Sequence, residues 1–329
     1  MDFRRHKKKE TDDKIILDKE KISKIISTTA KYETPGIQIS KWIIDKDSYI
    51  VNINKNNIKF QGIFNENFER NGYAISSYSN NEIYFGYYKR DIRNKEGIYT
   101  WPIEIENDRR KTEFYWGIWR DNIKEDHGIY LWLDEDNKKK PFEKFDDSIF
   151  DVYLGEIDND SFTKGVYLSK TKDNYYIYYG GYDIFGKRDG ANCYYYNSNE
   201  DKVFFGSMKK GLFENGFMGV FDSEGKIYDL FRVEFDSKQK IRRYLQRDDI
   251  DTSVRERVEW RILVFRSLIL EDDYFNIIFK AFKNIIEFRD KKFSLKVLNS
   301  DEGYNKIKDI CFGYNNIDLF RKLEKNLRK

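Results

Sequence analysis

Residues 84–101 read YFGYYKRDIRNKEGIYTW, and residues 115–132 read YWGIWRDNIKEDHGIYLW. In both segments an aromatic residue stands two positions before a glycine, and a polar, turn-prone stretch separates that glycine from a second one. An alternating run such as Ile129-Tyr130-Leu131-Trp132 follows the second glycine, and alternation with period two puts Tyr130 and Trp132 on one face of a strand. We therefore predict that each segment is a β-hairpin.

The same arrangement occurs six times between Phe60 and Phe221. The aromatic residue and the glycine two positions later are Phe60 and Gly62, Tyr84 and Gly86, Tyr115 and Gly117, Tyr153 and Gly155, Tyr179 and Gly181, and Phe204 and Gly206. The second glycines are Gly72, Gly97, Gly128, Gly165, Gly190 and Gly216. Glycine at such positions permits a positive φ or lets a neighbouring ring lie flat over the strand. We interpret these glycines as the residues that define the repeat.

The spacing of the copies predicts one continuous sheet. Successive copies begin 24 to 38 residues apart, and the two longest intervals contain the polar segments Pro102–Glu113 and Asp134–Asp151, which we predict to be loops at one rim of the sheet. The abundance of tyrosine and phenylalanine, with only 3 prolines, favours pleated strands. We predict a mainly β fold with an α cap: an elongated single-layer antiparallel sheet of hairpin repeats followed by a C-terminal helical region.

The repeat resembles the MORN (membrane occupation and recognition nexus) repeat. Tyr179, Gly181, Gly186 and Gly190 have the spacing of that family, and Phe204, Gly206, Gly211 and Gly216 have it with one extra residue. The resemblance implies a non-catalytic scaffold that docks protein partners, as cytoskeletal, ciliary and membrane-junction members of the family do. It also implies a second hypothesis, in which the protein binds or tethers membrane phospholipids.

The regions on either side of the repeats have a different character, so we divide the chain into residues 1–36, 37–235 and 236–329. The first part is a basic tail with a short helix between Thr11 and Ala30, and the second is the repeat array. In the third part, Ser253 to Glu256 has the pattern of a capping box opening a helix. We predict further helices over Asp273–Arg289 and Ile317–Leu327, and we expect this region to cover the end of the array.

Charge excludes partners that depend on a strong overall field. The 60 basic and 57 acidic side chains nearly cancel to a net charge of +3, so we expect no nucleic-acid partner. A local basic run lies near the N-terminus and is either a solvated tail or a contact for anionic membrane lipid. Its members are Arg4, Arg5, Lys7, Lys8 and Lys9. Cys193 and Cys311 have no metal or redox spacing, and we expect reduced thiols in a cytoplasmic protein without membrane spans.

We expect no catalytic residues, no metal and no cofactor, because the 2 histidines have no cysteine or carboxylate at ligand spacing and no phosphate-binding loop is complete. The feature with functional content is instead a set of aromatic residues on one face of the sheet. These are Tyr99, Trp101, Trp119, Tyr130, Trp132 and Tyr167. We predict that they line a groove for a peptide or helix of a protein partner. The alternative is that the chain's own terminal helices fill the groove.

Overall fold

The computed structural model describes residues 18–28, 31–42, 47–136, 149–270, 283, 301–312, 321 and 324–325. In these ranges the chain is mainly β, with consecutive hairpins joined in one long, open antiparallel sheet and a few helices. The predicted fold class is therefore confirmed. The basic residues Arg4 to Lys9, and the predicted helix over Ile317–Leu327 apart from its isolated described positions, lie outside the described residues. So does the predicted helix over Asp273–Arg289, except Lys283, which is helical.

Eighteen strands form the sheet in the described part of the chain. They are β1 (Lys31–Thr34), β2 (Ile37–Lys41), β3 (Ser48–Lys55), β4 (Ile58–Asn65), β5 (Arg70–Ser77), β6 (Ile83–Lys89), β7 (Ile92–Thr100), β8 (Glu104–Glu106), β9 (Arg109–Arg120), β10 (Ile123–Asp136), β11 (Ile149–Asp158), β12 (Ser161–Lys170), β13 (Tyr175–Gly181), β14 (Gly190–Asn197), β15 (Lys202–Lys209), β16 (Leu212–Phe221), β17 (Ile227–Phe235) and β18 (Ile241–Leu245). The helices are α1 (Lys19–Thr28), α2 (Thr252–Leu270) and α3 (Asp301–Phe312), with a 3-10 turn at Arg247–Asp249.

Almost every strand pairs antiparallel with the next strand of the chain. β8 is the exception, because β7 pairs with β9 instead of β8, and Gly97 lies opposite Gly117 in that pairing. β8 pairs only with the first residues of β9, so the predicted loop Pro102–Glu113 contains a short hairpin extension of the sheet. In the second predicted loop, Asp134–Asp151, β10 and β11 extend into both ends, and residues 137–148 are outside the described ranges.

Tight turns join many of the hairpins. Five two-residue turns have both central residues at φ between 47° and 68°, which is the geometry of turns whose twist matches that of the flanking strands. They are Asn56-Asn57, Arg90-Asp91, Asn107-Asp108, Asp121-Asn122 and Asn159-Asp160. Asparagine and aspartate tolerate this left-handed conformation better than other non-glycine residues, so the hairpins close without glycine at these positions.

Hydrogen bonds tie the turn of one repeat to the preceding repeat. The N–H of Asp91 donates to the carbonyl of Arg70 (3.0 Å), and Oδ1 of Asp91 accepts from the backbone N–H and Nε of Arg70 (2.9 and 3.0 Å). The same two-way backbone link occurs between Asn122 and Arg93 and between Asp160 and Lys124. We call these links turn clasps; they fix each hairpin against its neighbour at one rim of the sheet.

The sheet has an apolar core on each face. On the first, the helix face, α2 packs over β14 to β17 and α3 over β5 to β7. Trp116 Nε1 donates to the carbonyl of Cys311 in α3 (2.9 Å), which brings the C-terminal region back to the middle of the sheet. On the second, the aromatic face, the core consists largely of tyrosine, phenylalanine and tryptophan, and α1 contributes Ile22 to it.

The amino-terminal end of α2 differs by two residues from the predicted capping box. Asp251 caps the helix, because its Oδ1 accepts from the backbone N–H groups of Ser253 (3.0 Å) and Val254 (3.3 Å). The Ser253 hydroxyl also donates to Oδ1 of Asp251. This hydrogen bond most strongly, and the two from the backbone, lower the pKa of the Asp251 carboxyl. Of the apolar residues that the sequence places on one face of this helix, Val258, Ile262, Phe265 and Ile269 are buried against the sheet and Val254 is partly buried.

Candidate interaction surface

A line of small residues crosses the aromatic face from strand to strand. We call it the glycine row. Its members are Gly62, Ala74, Gly86, Gly97, Gly117, Gly128, Gly155, Gly165, Gly180, Cys193, Gly206 and Gly216. Successive members are cross-strand neighbours, and Cys193 lies beside Gly180. The row therefore runs perpendicular to the strands for twelve strands, from β4 to β16 with β8 left out.

Aromatic rings lie flat over the glycine row, which explains why its members are small. The ring of Tyr84 covers Gly86 and Gly97, and a Cβ at Gly86 would lie 2.3 Å from Tyr84 Oη. Tyr115 covers Gly117 and Gly128 in the same way. Since real Cβ atoms do not approach heavy atoms so closely, any larger residue at these positions would displace the ring or separate the strands.

Each covering tyrosine also bonds to its own strand. The hydroxyl donates to the carbonyl three residues later: Tyr84 to Tyr87 (3.1 Å), Tyr115 to Ile118 (3.0 Å), Tyr153 to Glu156 (2.6 Å) and Tyr178 to Gly181 (2.7 Å). The first and last copies have Phe60 and Phe204 instead. Burial raises the pKa of the Tyr84 and Tyr153 phenols well above the ordinary tyrosine value, so the hydroxyls remain donors.

A second line, parallel to the glycine row and two residues from it, consists of tyrosines. We call it the tyrosine row. Its members are Tyr84, Tyr99, Tyr115, Tyr130, Tyr153, Tyr167, Tyr178 and Tyr195. Consecutive members face each other across neighbouring strands, where aromatic pairs stabilise a sheet. The two rows together form a spine of rings seated on small residues.

Cations close the aromatic face over these rings. The Arg93 guanidinium lies 4.5 Å from the ring centre of Trp119 and 5.2 Å from that of Tyr99, and its residue is only 4% exposed. Lys124 Nζ lies 5.3 Å from the ring centre of Trp119 and 5.5 Å from that of Trp101. Such positions favour a cation electrostatically, and the aliphatic parts of both side chains add apolar cover.

The structure places five of the six predicted partner-binding aromatics in the protein interior. Tyr99, Trp101, Trp119, Tyr130 and Tyr167 are buried in the core of the aromatic face. The predicted open groove is filled by the chain's own rings and by Arg93 and Lys124, whereas α2 and α3 pack on the opposite face. These five rings therefore offer no surface to a partner in this conformation.

Trp132, the sixth predicted aromatic, is partly exposed and lines a pocket of about 500 Å³ at one end of the strands. Pro102, Lys111, Phe150 and Lys170 also line this pocket. Its walls come from the ends of β9 to β12, next to residues outside the described ranges. Trp132 is therefore the member of the predicted set that still has access to solvent.

Three of the predicted repeat glycines do not belong to the glycine row. Ala74 stands opposite Gly62, and Gly72 lies two residues away at φ 135°. In the fifth copy the ring is Tyr178 and it lies over Gly180, with Cys193 as the neighbour, so Gly181 and Gly190 are outside the row. The other predicted glycines are members: Gly62, Gly86, Gly97, Gly117, Gly128, Gly155, Gly165, Gly206 and Gly216.

The hairpin between β13 and β14 presents two large apolar side chains to solvent. Ile184 is 84% exposed and Phe185 is 71% exposed. The loop that carries them is held by Asp183, whose Oδ1 accepts from the N–H groups of Phe185 and Lys187, each at 2.9 Å. We call residues 183–188 the apolar tip.

Three exposed lysines lie in the apolar tip and in the turn beside it. The N–H of Gly211 donates to the carbonyl of Arg188 (2.8 Å), so the next turn lies against the tip and brings Lys209 and Lys210 beside it. Both lysines are exposed, as is Lys187 within the tip itself. The prediction from sequence did not include this surface; the signal for it is the apolar pair Ile184-Phe185 inside a segment that otherwise reads as a turn.

Comparisons with known proteins do not assign the chain to a family. No protein-family model matches the sequence, and no curated protein matches it. In the part of the chain that the structure describes, no helix has the length and apolar character needed to cross a membrane. Within the same part, no three or more His, Cys, Asp or Glu residues are grouped so that they would hold a metal ion.

Proposed function

We propose that this protein is a non-catalytic scaffold, built from degenerate MORN-like hairpins, that docks a protein partner. The observation that carries the proposal is the apolar tip. Ile184 and Phe185 are large apolar side chains held in solvent by a hydrogen-bonded loop on a rigid sheet. A monomeric protein gains nothing from exposing such a pair, whereas aromatic and aliphatic anchors at the centre of an interface contribute most of the binding energy.

The tip is suited to anchoring because it is already ordered. The N–H of Gly186 donates to the carbonyl of Asp183 and the N–H of Asp183 to the carbonyl of Lys187, both at 2.8 Å, so the loop conformation is set before a partner arrives. Preorganisation reduces the entropy lost on binding. In this proposal the tyrosine and glycine rows stiffen the scaffold, and the apolar tip makes the contact. The two free cysteines favour a reducing compartment, which fits a cytoplasmic, cytoskeletal or ciliary assembly.

A photo-crosslinking amino acid at Phe185 of the intact protein tests this function in a native lysate. We expect a discrete protein adduct that disappears when Ile184→Ser is added, while circular dichroism stays unchanged. The control carries the same crosslinker at Lys226, an exposed turn residue between β16 and β17. Equal adducts at both positions, or no protein adduct at position 185, would rule out the tip as a docking site.

A second candidate function, peripheral binding to anionic phospholipid, is favoured by the lysines around the tip. Apolar side chains that enter the headgroup region, flanked by Lys187, Lys209 and Lys210, suit an anionic membrane surface. Vesicles of phosphatidylcholine with phosphatidylserine should then sediment the protein, and vesicles of phosphatidylcholine alone should not. Loss of sedimentation in I184S/F185S would assign the contact to the tip, and loss on neutralising Arg4 to Lys9 would assign it to the basic tail.

A further inference from the structure

The last strand of the sheet has an open edge. β18 pairs with β17 through Arg232 and Leu245, Val233 and Tyr244, and Glu234 and Arg243. Among the described strands β18 has a ladder only with β17, and all five residues of the strand are exposed. An edge strand of this kind presents unpaired N–H and C=O groups that a further strand can join.

Exposed apolar side chains accompany the open edge. Tyr244 is 59% exposed and Ile241 is 50% exposed. The Tyr244 ring contacts the ring of Phe231 edge to face, with centres 6.3 Å apart, so it continues the aromatic face up to the end of the sheet. An added strand would bury these side chains against its own, as each strand of the array does with the next.

The edge is strongly basic. Lys238, Lys240, Arg242 and Arg243 are exposed, and no acidic residue occurs from Ser237 to Gln246. The nearest preceding carboxylate, Asp236, accepts from the backbone N–H groups of Lys238 (2.8 Å) and Lys240 (2.9 Å), so it serves the turn. Arg243 lies opposite Glu234 and Ile241 lies opposite Phe235, so Arg242 is the extra residue of a β-bulge, and both arginines are exposed at this edge.

This charge pattern selects the occupant. A second copy of β18, paired antiparallel about its centre, would set Arg243 against Arg243, and like charges directly opposite each other destabilise a pair of strands. A strand with two adjacent acidic residues beside Arg242 and Arg243, and apolar residues beside Ile241 and Tyr244, would complement the charge and the apolar side chains of β18.

We propose that the outer edge of β18 binds an extended acidic segment of a partner protein by strand addition. The two arginines select acidic residues at the centre of the added strand, and Ile241, Tyr244 and Leu245 pack against the apolar residues that flank them. This site lies outside the apolar tip and goes beyond the scaffold function proposed above, so either one can fail without the other.

Fluorescence anisotropy with the full chain tests this proposal. The probe is a labelled short peptide with two central glutamates flanked by valine and leucine; a second peptide has lysines in place of the glutamates, and a third has the residues of the first in scrambled order. We expect saturable binding of the first peptide only, with slower amide exchange at residues 241–245 in the complex. R242E/R243E should weaken this binding about tenfold or more and should create binding to the lysine peptide.

K209E/K210E is the matched control, because it reverses two exposed charges beside the apolar tip and leaves β18 unchanged. It should bind the glutamate peptide like the unmodified chain. The proposal is overturned if the glutamate peptide does not bind, if the scrambled peptide binds equally well, or if the two charge-reversed variants lose binding to the same extent.

Discussion

At the scale of single residues, the spacing of rings and glycines reflects the contact between an aromatic ring and the glycine two positions later in the same strand. A tyrosine ring lies along its own strand and covers the glycine two residues later and that glycine's neighbour on the adjacent strand, as Tyr115 covers Gly117 and Gly128. The glycine is required by space, because Gly117 itself has no positive φ. Cys193 occupies the same row in the fifth copy, where its Sγ lies 3.2 Å from Tyr178 Oη.

Gly117→Ala should therefore destabilise the protein by about 1–3 kcal/mol through overpacking. The new Cβ would lie 2.3 Å from Tyr115 Oη and 2.7 Å from the carbonyl oxygen of His127, and neither atom is the end of a flexible chain. Urea unfolding gives the free energy. Gly211→Ala is the matched control, because nothing lies within 4 Å of its Cβ and only its φ of 86° opposes the change. A Gly117→Ala variant as stable as the unmodified chain would contradict the space argument.

At the scale of elements, the turn clasps make each hairpin depend on the one before it. Arg70 is buried, and Asp91 accepts from its backbone N–H and Nε, while Arg70 Nη2 donates to the carbonyl of Asp91 (2.8 Å). Without this carboxylate the backbone N–H and Nε of Arg70 would lose their acceptor, and a buried donor without an acceptor costs more than the hydrogen bond itself contributes. The clasp is therefore a point where one side chain controls the junction of two repeats.

Asp91→Ala should cost about 1–3 kcal/mol, because it removes the carboxylate that accepts from the backbone N–H and Nε of Arg70. Asp91→Asn keeps an oxygen acceptor and the tolerance for φ 67°, so it should cost clearly less. Hydrogen exchange in the alanine variant should rise in β4 to β7, next to the broken clasp. An even rise over all strands, or equal costs for alanine and asparagine, would show that the clasp does not control this junction.

The hairpin array follows from sequence because local spacing specifies it. A ring two residues before a glycine and a polar turn repeat often enough to predict the sheet, and the apolar face of α2 is likewise local. In the fifth copy, the sequence analysis takes Tyr179 and Gly181 as the ring and the glycine, one residue beyond the true pair Tyr178 and Gly180, because both pairs have the same spacing. Ala74 and Cys193 are small enough for the glycine row, but no glycine motif includes them. The clasps were not predicted, since they join residues of different hairpins.

The burial of the predicted binding aromatics also lies beyond local pattern. Alternation shows that Tyr99 and Trp101 share a face, but it does not show that Arg93 and Lys124 fold over that face. The helix α3 was not predicted, and its contact with Trp116 joins positions 195 residues apart in sequence. The apolar pair Ile184-Phe185 inside a turn-like segment is a signal in the sequence, but the exposure of both side chains is seen only in the structure.

At the scale of the whole molecule, the tyrosine row crosses eight of the eighteen described strands, so its protonation state bears on global stability. Burial raises the pKa of Tyr84, Tyr153, Tyr167 and Tyr178 well above the ordinary value of about 10. The folded state therefore holds these protons more tightly than the unfolded chain. Stability from this source is complete below about pH 10 and falls as the pH rises further.

We expect alkaline unfolding in which tyrosinate absorbance and loss of the β-sheet circular dichroism signal occur together. Each buried phenol should remove about 1.4 kcal/mol per pH unit above the pKa of the unfolded chain. The reference is the same titration in urea, where all tyrosines ionise near pH 10. If the buried tyrosines of the row ionised at that pH while the sheet signal stayed intact, their phenols would be solvent-accessible, which would contradict the burial of the tyrosine row.

The central claim is that the rings of the aromatic face are seated on the glycine row. Nuclear magnetic resonance of the glycine Hα atoms in the intact protein, with glycine and tyrosine labelled, measures this contact most directly. The account predicts strong upfield ring-current shifts for Gly86, Gly97, Gly117 and Gly128, with nuclear Overhauser effects to the Tyr84 and Tyr115 rings, and no such shift for Gly211. Ordinary shifts at the row glycines, without ring contacts, would contradict it.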